Sequence, residues 1–260
     1  MDLIKFIVYL FLPTLSYAEE VSIVTGEFPP FSSEAMQSGG VATEIVKAVC
    51  DVQNISINIK YLPFPRAELL VQTGKAFAVY PYQKNAERRE LFYFSDSIAP
   101  WTGRFFYKKS HIKSPPLNYN WESLKPYSMM GTIGYWYVPI FKKKGLNIEL
   151  GNSDVNAFRM LSVDRADLVP ASTERGWWII KHEFPKIMQD DFATLEKPLI
   201  NGEMFLMVSK QYPNSKELLD KFNSGLGEII KNGTYNQIVT KYKKIYHIQE
   251  GSANTPLVEQ

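Results

Sequence analysis

Residues 85–98, Asn-Ala-Glu-Arg-Arg-Glu-Leu-Phe-Tyr-Phe-Ser-Asp-Ser-Ile, set two guanidinium groups directly ahead of three aromatic rings. A guanidinium is a planar fork of N–H donors, charged at any relevant pH and matched to a carboxylate. The charges suit a solvated helix and the rings suit a buried strand, so the abrupt junction needs an explanation. Elsewhere the reactive side chains are sparse. The three histidines, His111, His182 and His247, are too far apart in sequence to share a helical turn. Gly-x-Ser-x-Gly, Gly-x-x-x-x-Gly-Lys and Gly-x-Gly-x-x-Gly are all missing, which removes the commonest hydrolase and nucleotide-binding signatures. The adjacent carboxylates Asp190 and Asp191 read as solvated. Nothing calls for a cofactor or a metal. The single cysteine, Cys50, falls on an amphipathic helical pattern and is expected to be inert core.

Charge excludes another class. The chain has 29 basic and 27 acidic residues, a net charge of +2, with no basic block longer than the solvated patches at 142–144 and 241–244. No nucleic-acid partner is expected. Residues 1–18 combine Lys5, an apolar run from Phe6 to Leu12, Pro13 and a small-x-small end at Ser16-Tyr17-Ala18. That is the pattern of a cleavable signal peptide, and the run is too short to span a membrane. The expectation is a periplasmic, monomeric protein without a disulfide, since one thiol cannot form one internally.

The elements that would position any site alternate strand and helix. Residues 21–25 read as a buried strand. Ala42, Ile45, Val46 and Val49 recur at helical spacing, and 55–61 alternate strictly. Strand, helix and strand at this spacing predict a parallel βαβ unit. A helical pattern near 66–73, a strand at 76–80, and a second set of units from 127 to 209 follow. Ser153 is expected to cap a helix over 154–163. In the last third, Asn214 is expected to cap a helix with an apolar stripe from Leu218 to Ile230. Thr234 with Gln237 is expected to form a capping box for a final helix. The stretch 109–126 reads as a polar connection. In an open α/β sheet ligands bind beyond the carboxyl ends of the strands. The loop Thr-Gly-Glu-Phe-Pro-Pro-Phe after the first strand, with Phe28 and Phe31, leaves from that edge. Phe31 reads as a local hydrophobic staple; Phe28 stays open between that role and a ligand surface.

Four stretches resemble the bacterial extracellular solute-binding proteins of family 3, in the right order and over nearly all of 21–246. They are EFPPF, LLVQTGKAFAVYPYQKNAERRELFYFSDSI, DRADLVPAS and LLDKFNSGLGEIIKNGTYNQIVTKY. The resemblance implies an α/β, two-lobed, type II periplasmic binding protein fold with two hinge strands between the lobes. Lobe 1 would comprise 20–103 and 204–247, lobe 2 would comprise 104–203, and 248–260 would be a flexible tail. It also implies a binding protein rather than an enzyme. Such a protein captures a small carboxylate-bearing solute, an amino acid or a relative, for an ABC permease or a membrane sensor.

By the same resemblance, the arginine six residues before the Phe of Phe-Ser-Asp holds the ligand's carboxylate. That is Arg88, whose alternative is a surface ion pair with Glu87 or Glu90. The chain departs from the family where small hydroxyl residues would precede this arginine, reading Tyr80, Pro81 and Gln83. A Gly-Thr-Thr-like turn becomes Gly134-Tyr135-Trp136. The acidic residue for an ammonium group aligns with Ser172, with Glu174 two residues on as a substitute. The expected pocket is therefore aromatic, drawing on Phe28, Tyr80, Tyr82, Tyr135 and Trp136. Arg66 is either a second anion contact or a helix-start surface residue. The alternative activity is an enzyme on the same fold, a cyclohexadienyl or arogenate dehydratase, for which Glu27 and Glu174 are the available acids.

Overall fold

The computed structural model describes residues 20–116, 118–245 and 256–258. The expected signal segment lies outside the described residues. The chain opens with β1 (Val21–Thr25), α1 (Val41–Val52), β2 (Ile57–Tyr61), α2 (Phe64–Gln72) and β3 (Ala78–Tyr82). The short helix α3 (Ala86–Leu91) runs straight into β4 (Phe92–Lys108), which is 17 residues long. Next come α4 (Trp121–Leu124), β5 (Met129–Thr132), α5 (Tyr137–Lys143), β6 (Ile148–Gly151) and α6 (Asp154–Ser162). They are followed by β7 (Val169–Ser172), α7 (Thr173–Glu183), α8 (Lys186–Gln189) and β8 (Phe192–Thr194). Finally β9 (Ile200–Ser209) returns, and α9 (Ser215–Lys231) and α10 (Thr234–Ile245) close the fold.

The predicted βαβ unit is present: β1 pairs in parallel with β2 on one side and β3 on the other. The sheet order is β2-β1-β3-β9-β4-β7, with β8 also on β4. Strands β4 and β9 are antiparallel neighbours that pair from Phe92–Ser209 to Gly103–Ile200. One end of this pair lies beside β3 and the other end of β4 beside β7 and β8, so the two strands link two lobes. In lobe 1, α1, α9 and α10 bury Ile45, Val49, Phe222 and Tyr242 on one face of the sheet, while α2 buries Ala67 and Val71 on the other. In lobe 2, Phe105 and Phe106 point to opposite faces of β4. Phe105 packs with Tyr119, Leu124 and Phe141, and Phe106 with Phe158, Ile179 and Phe192.

The abrupt junction at 85–98 follows from this layout. Helix α3 buries no residue and is capped by Asn85, whose side chain accepts from the Arg88 backbone at 2.8 Å. It ends at Leu91, and the next residue, Phe92, is already in the sheet and buried. The Phe-Ser-Asp motif marks a bulge. The β4–β9 register shifts between Phe94 and Ser97, and buried Ser95 fills the break. Its hydroxyl accepts from Leu206 N–H at 3.0 Å and donates to Asp96 O at 2.6 Å, so the displaced backbone groups keep partners.

Several local expectations change. Asn214 does not cap α9 with its side chain; it adopts a left-handed conformation, φ 54°, in the tight turn out of β9. At α10, Thr234 is the first helical residue, its N–H donating to Asn232 Oδ1 at 3.0 Å, so Gly233 precedes the helix where the capping box was expected at Thr234. Ser153 does cap α6, accepting from Asn156 N–H. The connection 109–126 is anchored rather than loose, since Tyr119 and Leu124 are buried and Tyr119 donates to Lys197 O at 2.9 Å. Most of the expected flexible tail, 248–260, lies outside the described residues; of those described, Leu257 and Val258 donate to Pro198 O and Leu199 O, just ahead of β9. Cys50 is buried, and burial pushes its thiol up to about 12, as expected of inert core.

The loop after β1 is held by its own helix. The first N–H groups of a helix lack intrahelical partners. In α1 two of them are used: Val41 N–H donates to Pro30 O at 3.0 Å and Ala42 N–H to Phe31 O at 2.9 Å. Gly40 makes this approach possible. Its φ of 100° and ψ of 165° are open essentially to glycine alone. A Cβ there would lie 2.6 Å from Phe31 O.

One buried group sits at the hinge. Glu174, in the first turn of α7, lies beside the Thr102 backbone of β4 and in the field of Arg104 and Lys243. Its Oε2 is buried without a hydrogen-bond partner among the described residues. Burial raises its carboxyl from the ordinary 4.5 to about 7, only partly opposed by Arg104.

Two outcomes follow from this architecture. Gly40→Ala is expected to cost on the order of 1–3 kcal/mol in urea unfolding, because the backbone must leave a conformation that alanine avoids. A loss too small to resolve would contradict the docking of the loop. For Glu174, the folded state binds the proton more tightly than the unfolded chain does. Stability is therefore full below about pH 4.5 and falls as pH rises to about 7. Glu174→Gln removes this slope. Unfolding at pH 5 and pH 8 should show a smaller pH penalty in the variant than in the parent, and equal penalties would refute the assignment.

Candidate functional site

The carboxyl ends of β1, β2 and β3 share one edge of lobe 1, and the loop at 26–40, the start of α2 and helix α3 all leave from it. In the loop, Phe28 N–H donates to Ser32 O at 2.7 Å, and Ser32 Oγ donates to Gly26 O at 2.7 Å. This closes a tight turn that stacks Phe28 on Phe31, ring centroids 5.5 Å apart. Phe31 is buried in the core, while Phe28 is half-buried at the edge. Glu27 is exposed and accepts from Glu34 N–H at 2.8 Å, bracing the same loop.

Arg88 sits at this edge on the ring of Tyr82, the last residue of β3, with its guanidinium carbon 4.6 Å from the ring centroid. Nη1 donates to Gln83 O at 3.4 Å, and Nη2 lies 3.6 Å from Glu68 Oε2 on α2. The ion pair is thus with Glu68, not with Glu87 or Glu90, because α3 turns those two outward to solvent. At 3.6 Å, with the two side chains 30% and 31% exposed, the contact is too long for a hydrogen bond and is open to exchange.

On lobe 2, α6 and α7 begin where β6 and β7 end, and their first turns carry the second charged cluster. Asp154, the first residue of α6, is buried and fully engaged. Thr132 Oγ1 donates to Oδ1 at 2.8 Å, Tyr135 OH donates to Oδ2 at 2.6 Å, and Arg175 Nε donates to Oδ2 at 3.3 Å. Burial and the neighbouring Asp154 carboxylate push the Tyr135 hydroxyl pKa far up, so it remains a donor. Arg175 occupies the first turn of α7, where the helix dipole opposes a cation. Asp154 compensates. The guanidinium also reaches across to lobe 1: Nη1 donates to Pro29 O at 3.1 Å, and its carbon lies 5.8 Å from the Phe28 ring and 5.1 Å from the Trp178 ring. The two lobes therefore touch through this arginine on the loop after β1, and also through Lys181 of α7, whose Nζ donates to Ile245 O of α10 at 3.3 Å.

The structure distributes the other expected residues unevenly. Tyr135 joins the Asp154 cluster. Trp136 is half-buried on Trp101 of the hinge, centroids 5.8 Å apart. Ser172 caps α7, its hydroxyl accepting from Arg175 N–H at 3.3 Å. Tyr80 does not line a surface: it has no exposed area, and its hydroxyl donates to Thr43 Oγ1 at 3.0 Å inside lobe 1. Tyr82 is buried on the opposite face of the sheet, because the β3 register shifts between Val79 and Tyr82. Burial, with Glu68 nearby, raises its hydroxyl pKa. Arg66 is exposed in the first turn of α2. Glu174, one of the two acids the dehydratase reading requires, lies at the hinge beside Thr102 and Arg104. Reasoning from sequence missed Arg175, Asp154, Thr132 and Trp178. A usable signal was there: both charges stand in the first turn of a helix that follows a strand, which is the edge where ligands bind.

Among the described residues no group of three side chains is arranged to hold a metal ion, and no helix is long and apolar enough to cross a membrane. No curated protein matches the chain. Among solved structures the chain is similar to a histidine kinase sensor domain with similarity to periplasmic binding proteins. That match has 17% identity and a TM-score of 0.71, covering 86% of this chain and 96% of the other. It is also similar to an ancestral arginine-binding protein bound to arginine, at 24% identity, TM-score 0.67, and 86% and 97% coverage. A third likeness is to the arginine-, lysine-, histidine-binding protein ArtJ from Geobacillus stearothermophilus, at 18% identity, TM-score 0.67, and 86% and 95% coverage. These likenesses establish the two-lobed fold of type II periplasmic binding proteins. A family model matches residues 21–245, and the chain belongs to the bacterial extracellular solute-binding proteins, family 3.

Proposed function

We propose that this protein is a periplasmic, monomeric binding protein that closes its lobes over a small carboxylate-bearing solute, an amino acid or a related acid. It performs no chemistry on the ligand and presents the closed form to an ABC permease or a membrane sensor. The observation that carries this reading is Arg88. It is a guanidinium laid on an aromatic ring at the carboxyl edge of the lobe 1 strands, and its carboxylate partner is loose and partly exposed. A ligand carboxylate replaces Glu68 there with two short charged bonds, each worth roughly 1.5–3 kcal/mol. The ligands named for the solved relatives, arginine, lysine and histidine, belong to the class that such a fork suits. The likeness to a histidine kinase sensor domain supports the sensor route.

The test begins with a thermal-shift screen over amino acids and related carboxylic acids, since a ligand that binds only the native state raises its stability. Arg88→Ala should weaken binding of a stabilising acid by roughly 2–5 kcal/mol, as expected when one partner of a desolvated charge pair is removed. Calorimetry that finds the affinity unchanged in this variant would rule out the carboxylate role.

A further inference from the structure

The lobe 2 side of the site bears on which acids the protein accepts. An amino acid carries an ammonium group beside its carboxylate, and that group needs an acceptor, preferably a free carboxylate. At the contact between the lobes, the buried carboxylate is already engaged. Asp154 receives three donors, from Thr132, Tyr135 and Arg175. Ser172 Oγ accepts from Arg175 N–H in the first turn of α7, and Glu27, exposed on the loop after β1, accepts from Glu34 N–H through one oxygen. What this side offers instead is a donor. Arg175 uses Nε on Asp154 and Nη1 on Pro29 O, while its Nη2 has no hydrogen-bond partner among the described residues. The guanidinium is fixed at one end by a buried carboxylate and flanked by Phe28 and Trp178, so its direction is set before any ligand arrives. A cation held in this way repels an ammonium group and attracts an oxygen.

Building on the carboxylate role of Arg88, we propose that Arg175 is the specificity-determining residue of lobe 2. It receives an acceptor oxygen where an amino acid would carry its ammonium group. The ligand class is then the small 2-oxo acids, with the carboxylate on Arg88 and the neighbouring oxygen on Arg175. Closure brings the donor to the ligand because the same guanidinium already bridges to the Pro29 carbonyl of the opposite lobe. Its desolvation between two rings strengthens the discrimination, because an unpaired charge is penalised more where water is excluded.

Two matched pairs test this by calorimetry on the full mature chain: phenylpyruvate with L-phenylalanine, and 2-oxoglutarate with L-glutamate. In at least one pair the oxo acid should bind the parent protein at least tenfold more tightly than the amino acid. Arg175→Gln should lower that oxo acid's affinity at least tenfold without lowering the amino acid's. The comparison within the parent protein stands even if the variant folds poorly, and Arg175→Lys, which keeps the charge but loses the fork, supplies a second variant. Absence of that tenfold preference from both pairs overturns the proposal, and so does failure of all four probes to bind. Arg88→Ala separates the two readings. If an amino acid binds the parent and is lost in that variant, the carboxylate role survives and the Arg175 proposal fails. If oxo-acid binding persists without Arg88 but disappears without Arg175, the reverse holds.

Discussion

Two antiparallel strands, β4 and β9, have to serve two lobes at once, and most of the molecule is arranged around that requirement. Their pairing runs from Phe92–Ser209 in lobe 1 to Gly103–Ile200 at the border of lobe 2. A continuous ladder of this length would be rigid and twisted through a fixed angle. The register shifts around Ser97 interrupt it, and buried Ser95 keeps the freed Leu206 N–H bonded. Separate cores then form on either side, with helices on both faces of the strands, and Trp136 and Trp178 of lobe 2 pack back against the edge of the lobe 1 core.

Polar groups cross from one lobe to the other: the Arg175 guanidinium donates to the Pro29 carbonyl with a half-buried ring beneath it, and Lys181 Nζ donates to Ile245 O. A bond of this kind forms and breaks with little net change in stability, because water replaces each partner when it is lost. The Asp154 end of the same arginine is different. It is buried, triply bonded and internal to lobe 2, so it persists in whatever position the lobes take.

Much of the fold was legible from residue types alone. The apolar run at 21–25, the helical stripe of α1 and the alternation at 55–61 predict a parallel unit, and that unit is there. The aromatic run after Leu91 reads as strand and is strand. The site was less legible. Tyr80 and Tyr82 look like neighbours on one face because strand residues alternate, yet a register shift between Val79 and Tyr82 sends them to opposite cores. Asp154 and Arg175 look like ordinary helix-start residues because nothing in a linear pattern announces a partner 21 positions away.

Periodicity and turn residues by themselves determined which segments are strands and helices and that the first of them form a parallel βαβ unit, while the order of four short motifs carried the resemblance that implied two lobes. Strand and helix are local properties, written in the spacing of apolar side chains. Which charges face one another was decided only by the tertiary structure. It set Arg88 against Glu68 rather than Glu87 or Glu90, and it carried Arg175 across to Pro29. The physical reason is that a polar contact depends on distance in space, which the packing of α2 and α3 within lobe 1 and the meeting of the two lobes set, not the order of residues.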